Sequence, residues 1–157
     1  MRPGVRLGVD VGTVRIGVAR CDPHGMIATP VSTVVRGDGD LAELLRLIAE
    51  VDAVEVIVGL PLALSGAVTA STEDATGFAD RLAARSPVPV RLVDERLSTV
   101  SAQRALRLSG RTSRNSRPVI DQVAAVIILQ HALDFERSAG IPPGALVHPE
   151  EGSRRGR

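Results

Sequence analysis

A chain of 157 residues, 44% hydrophobic and 24% charged, has the size and balance of one globular domain with a core of its own. A net charge of +1 argues against a large nonspecific nucleic-acid-coating surface, and 1% aromatic residues argues against base-stacking platforms. The single cysteine, Cys21, excludes an internal disulfide and a cysteine-based zinc centre.

All 19 basic residues are arginine, the side chain that grips phosphate bidentately. No apolar run reaches membrane length and no hydrophobic leader follows a basic start, so a cytoplasmic protein without membrane contact is expected.

The first predicted strand, in the stretch Arg6 to Thr13, carries one carboxylate. Alternation turns Leu7, Val9 and Val11 to one face and Gly8, Asp10 and Gly12 to the other. A carboxylate between two glycines suits a face that a phosphate or a metal must approach closely. The short turn Gly12-Thr13-Val14-Arg15 leads into a second strand through Ile16-Gly17-Val18-Ala19, and Asp22-Pro23-His24-Gly25 turns into a third, Val31 to Arg36. A helix follows from Asp40, with Glu43 at capping-box spacing and an apolar stripe of Leu41, Leu44, Leu45 and Ile48.

Val54 to Gly59 reads as a buried fourth strand. A second helix starts near Ser71, burying Ala75, Phe78, Ala79 and Leu82, and Val88 to Val93 forms a fifth strand. Ser98 or Thr99 starts a third helix to about Leu108, stopped by Gly110. An arginine-bearing loop, 111–117, precedes a last helix with Pro118 in its first turn and residues 119–133 apolar on nearly every side, hence central. Residues 1–140 are expected to form a single domain and 141–157 a flexible tail. The order β-β-β-α-β-α-β-α-α gives a mixed five-stranded sheet with helices on its faces, the α/β layout of the ribonuclease H-like fold.

Three acids fall at element ends: Asp10 on the first strand, Glu95 at the end of the fifth, and Asp121 in the first turn of the last helix. They meet if strands one, four and five are neighbours. Each also has a structural explanation: Asp10 as a turn cap, Glu95 or Asp94 as an arginine partner, Asp121 as a complement to a helix N-terminus. Together they form the oxygen-only donor set that Mg²⁺ or Mn²⁺ prefers. Two such ions about 4 Å apart activate a water and stabilise the leaving oxygen in phosphodiester hydrolysis. Asp10 is the expected bridge, with Glu95 and Asp121 on either side. Asp94 alternates away from Glu95 and is a secondary candidate, as is Thr13. Arg15, Arg96, Arg111, Arg114 and Arg117 are the expected phosphate contacts.

The stretches Leu7 to Gly12, Arg15 to Ala19, Val58-Gly59-Leu60-Pro61, Asp94 to Thr99 and Ile120 to Ala125 resemble, in order, the motifs of the YqgF/RuvX family, and cover residues 5 to about 136. The resemblance implies a nuclease related to Holliday junction resolvases that trims the 5′ end of the 16S rRNA precursor, with acids at Asp10, Glu95 and Asp121. It implies a nucleic-acid partner, structured RNA or branched DNA, and a ribosome precursor as a further partner. The loop before Asp121 is poorer in basic residues than is usual in the family. Either a monomer or a homodimer is compatible, a two-fold dimer being what a resolvase requires. Two further readings are a phosphate-binding turn at Asp10 to Thr13 of the actin-like or sugar-kinase kind, and an RNA-binding protein without catalysis.

Overall fold

The structure is a computed structural model, and it describes residues 1–97 and 117–148, with the backbone alone for 117–120. Six strands form one sheet: β1 (Arg6–Val11), β2 (Arg15–Cys21), β3 (Ala28–Val35), β4 (Glu55–Leu60), β5 (Val90–Asp94) and β6 (Ala145–Leu146). Their order is β3-β2-β1-β4-β5-β6. The first three form the expected antiparallel meander, while β4 joins β1 and β5 joins β4 in parallel. Strands one, four and five are therefore neighbours, as convergence of the three acids requires. The sheet has six strands rather than five. Ala145–Leu146, in the stretch expected to be tail, pairs antiparallel with Arg91 and Leu92 of β5.

The sheet's two faces divide the core. Leu7, Val9, Ile16, Val18, Val56 and Val58 pack against helices α1 (Asp40–Glu50) and α2 (Ala70–Arg85). Ala19, Cys21, Ile57 and Val93 pack under α3 (Arg117–Ala139), which contributes Ala124, Ala125, Ile128, Leu129, Ala132 and Leu133. These residues recur at three- and four-residue spacing and form one stripe of a helix. The helix lies on one sheet face, with Val123 39% exposed and Val126 and Ile127 partly buried among the described residues.

Local chemistry at helix starts differs from expectation in two places. Gly39, not Asp40, is the N-cap of α1, in a left-handed conformation that glycine adopts without strain, and Asp40 instead accepts from the Gly37 amide. Helix α2 has the capping box, formed by Thr69 and Thr72. The predicted helix from Ser98 or Thr99 to Leu108, Arg111, Arg114 and residues 149–157 lie outside the described residues.

A buried ionic cluster fastens the far end of the α3 layer. Glu136, near the helix C-terminus, accepts from Arg2, which also reaches Glu55 at the start of β4. Arg91 donates to Glu55 at 2.7 Å, and the buried Arg6 guanidinium lies 3.9 Å from Glu55 and 3.8 Å from Glu136. Cys21 is buried beside it, its Sγ accepting from the Arg6 amide. Burial pushes the Cys21 thiol pKa up, which suits a packing role.

Candidate active site

The site is assembled on the α3-facing side of the sheet. Asp10 pairs with Gly17 in the β1–β2 register. On its other flank, the β1–β4 pairing runs to Val9–Val58, so Gly59 is the next neighbour of Asp10. Gly17, Asp10 and Gly59 thus form a row across three strands, with neighbours about 5 Å apart.

The two glycines admit the other acids. A side-chain carbon at position 17 would overlap the backbone carbonyl of Asp121, so the start of α3 rests directly on β2 there. A side-chain carbon at position 59 would come within 2.6 Å of Glu95 Oε2 and of Ile128 Cδ1. Asp121 therefore lies over one flank of Asp10, and Glu95 over the other. All three are buried: Asp10 is 2%, Glu95 3% and Asp121 8% exposed. Charged carboxylates are costly to bury in this way unless they are paired or bind a cation.

Two of these positions differ locally from expectation. Strand β5 ends at Asp94, and Glu95 opens a 3₁₀ turn, Glu95–Leu97. Helix α3 begins at Arg117, which places Asp121 in its second turn rather than its first. Asp121 precedes Ala125 by one turn and so shares the stripe that faces the sheet.

The arginines fall into different settings. Arg15, the first residue of β2, shares a face with Gly17, and its Nε donates to Asp121 Oδ2 at 2.8 Å. Arg96 is exposed at the rim, where Asp94 accepts from its Nη2 at 2.6 Å and Leu64 O from its Nη1 at 3.3 Å. That pairing holds the Asp94 carboxyl below its ordinary pKa and raises the Arg96 guanidinium. Asp94 is thus engaged with Arg96, away from the buried row. Thr13 is exposed in the β1–β2 turn. Arg117 starts α3, and its side chain lies outside the described residues.

The donor chemistry of Asp10, Glu95 and Asp121, oxygen only, fits a hard divalent cation. Among the described residues, no group of three or more Asp, Glu, His or Cys side chains lies close enough together to enclose an ion. The Arg15–Asp121 pair and the roles of Gly17 and Gly59 are set by tertiary contacts and are not among the features expected from the sequence. The strand alternation of 15 and 17 was a readable signal, but the register that brings Asp121 above them was not.

Residues 4–135 match the family model described as "RuvX: Holliday junction resolvase". A protein of Clavibacter michiganensis subsp. michiganensis is 68% identical over 150 residues, which span 94% of this chain and 93% of that protein. One of Leifsonia xyli subsp. xyli is 60% identical over 155 residues, spanning 97% and 99%. Both carry the name "Putative pre-16S rRNA nuclease". Among solved structures, Thermus thermophilus RuvC in complex with a Holliday junction substrate superposes with a TM-score of 0.57. It is 19% identical, and the match covers 89% of this chain and 99% of that one, a likeness of ribonuclease H-like fold. With the family model spanning most of the sequence and relatives this similar over nearly their full length, the chain belongs to the RuvX family.

Proposed function

We propose that this chain is a divalent-metal-dependent endonuclease that hydrolyses phosphodiester bonds in the 5′-end maturation of the 16S rRNA precursor, in the cytoplasm. The observation that carries the reading is the placement of Asp121 and Glu95 over the two glycines flanking Asp10. Three buried carboxylates set over neighbouring strands are a costly choice for a core, and among the described residues the site has no Ser–His–acid or Cys–His arrangement to serve nucleophilic catalysis instead. The names of the relatives that are 60–68% identical supply the RNA substrate.

Asp10, Glu95 and Asp121 are the residues that would hold Mg²⁺ or Mn²⁺, two ions in the reading drawn from the sequence. A metal bound there supplies an activated water and stabilises the leaving oxygen. The chain's own work is to set the three carboxylates over neighbouring strands, to make room for them with glycine at 17 and 59, and to keep them out of bulk water, so that their charge acts more strongly. Arg96, held at the rim by Asp94, is a phosphate contact, and Arg15, Arg111, Arg114 and Arg117 complete the proposed set. Thr13 and Asp94 are secondary.

The family model's description favours one second reading, a resolvase acting on branched DNA. The test is cleavage by the purified protein of a 16S rRNA precursor fragment, a four-way DNA junction and a linear duplex, each with Mg²⁺ or Mn²⁺. The proposal predicts cleavage of the RNA precursor near its 5′ end. Paired symmetrical nicks in the junction, with the RNA left intact, would transfer the assignment to the resolvase.

A further inference from the structure

Arg15 is placed to do more than meet a phosphate. The backbone fixes where it starts: its carbonyl accepts from the Gly12 amide at 2.9 Å, closing the β1–β2 turn. Strand alternation then puts its side chain on the face of Gly17, directly under the start of α3. Its Nε lies 2.8 Å from Asp121 Oδ2, while the side chain remains 27% exposed, with a way out to solvent.

Asp10, Glu95 and Asp121 lie over neighbouring strands and bear like charge, and a guanidinium on Asp121 offsets part of their mutual repulsion. A divalent cation would need the same carboxylate. The two positive groups cannot both face it closely without repelling each other. We infer that Arg15 is a built-in counter-ion, which holds Asp121 in the metal-free protein and gives it up when a divalent cation enters, so that Arg15 sets the metal affinity of the site. This rests on the proposed metal-nuclease reading and adds to it a residue that competes with the metal rather than helping to bind it. Arg15 remains tethered at the mouth of the site after release, with its charge free for a substrate phosphate.

The test is calorimetric titration of Mn²⁺ into the metal-free protein, comparing wild type, Arg15→Gln, Arg15→Met, Arg15→Lys and Asp121→Asn. Thermal melts are recorded with and without Mn²⁺. Loss of the competing charge is expected to tighten Mn²⁺ binding by roughly five-fold in Arg15→Gln and Arg15→Met, and either variant suffices should the other fail to fold. Arg15→Lys keeps the charge and stays near wild type. Without metal, the neutral variants melt below wild type, and Mn²⁺ raises their Tm by more than it raises that of wild type. Equal or weaker Mn²⁺ binding by the neutral variants, while Asp121→Asn binds less tightly than wild type, overturns the inference and leaves the metal site standing. If wild type itself binds no Mn²⁺, the metal reading falls and this inference falls with it.

Discussion

Gly17 lies directly beneath Asp121, and a side-chain carbon at position 17 would run into the Asp121 carbonyl. That backbone group belongs to a helix and cannot swing aside. Gly17→Ala must therefore lift the start of α3 off β2. Overpacking of this kind costs about 1–3 kcal/mol and lowers Tm by roughly 5 °C or more. Nuclease activity should fall further than stability does, because the displaced turn carries Asp121. Gly8→Ala is the control: it presses on Leu129 Cβ at 2.6 Å, two turns further along the helix. It should cost similar stability with a smaller loss of activity per folded molecule. Equal losses in the two variants would mean that position 17 has no special relation to the chemistry.

Gly59→Ala should behave differently. The atoms it meets, Glu95 Oε2 and Ile128 Cδ1, are the far ends of flexible side chains. The fold can yield, at a cost of about 1 kcal/mol or less, but Glu95 must leave its place. Turnover should drop by about ten-fold or more, since small misplacements of a reacting group are costly, while Tm moves little. A Tm loss as large as that of Gly17→Ala would contradict this.

Arg96 is held by Asp94 at the exposed rim, where water screens the pair and leaves it little effect on stability. Its value should appear in substrate binding. Arg96→Ala is expected to weaken nucleic-acid affinity and to reduce the salt dependence of binding by about one released ion. Asp94→Asn, which removes the carboxylate that competes with phosphate for Arg96, should bind more tightly. Filter binding across a salt series reads both, and an unchanged slope in Arg96→Ala would remove Arg96 from the phosphate contacts.

At the opposite end of α3, Arg2 holds Glu136 well below the ordinary carboxylate range, at about 2, chiefly through side-chain hydrogen bonding. A carboxyl whose pKa is lower in the folded chain than in the unfolded one contributes stability that is fully present above the unfolded value, about 4.5. That contribution is lost as pH falls from there towards about 2. Wild type should lose stability across that window, and Glu136→Gln should lose less. The variant itself should be less stable at neutral pH by about 1–3 kcal/mol, because the buried Arg6 loses a counter-charge while the half-exposed Arg2 regains water. Denaturant melts at pH 7, 4 and 3 check both statements.

Much of this arrangement was legible in the sequence because it depends on periodicity. Alternation along residues 6–12 correctly separated the core face from the face of Asp10, and the meander followed by βαβ units set the strand order around β1. What escaped was set by contacts between distant segments. Glu95 could be identified as an acid near the end of β5, but its turn inward depends on a 3₁₀ turn and on the space left by Gly59. Arg15 read as a phosphate contact because nothing local reveals that Asp121, 106 residues later, lies within its reach. Ala145–Leu146 is too short to show a strand period and becomes one only where β5 offers a free edge.

Asp10 anchors the proposed metal-dependent hydrolytic site, which is tested by single-turnover cleavage of a 16S rRNA precursor fragment by wild type and Asp10→Asn, with Mg²⁺ or Mn²⁺ and with EDTA. The substitution keeps the shape of the side chain and removes its charge. Cleavage by wild type should require the metal, and Asp10→Asn should be slower by at least about 100-fold while melting as a folded protein, consistent with the loss of several kcal/mol of transition-state stabilisation. Cleavage that survives both EDTA and Asp10→Asn would contradict the account.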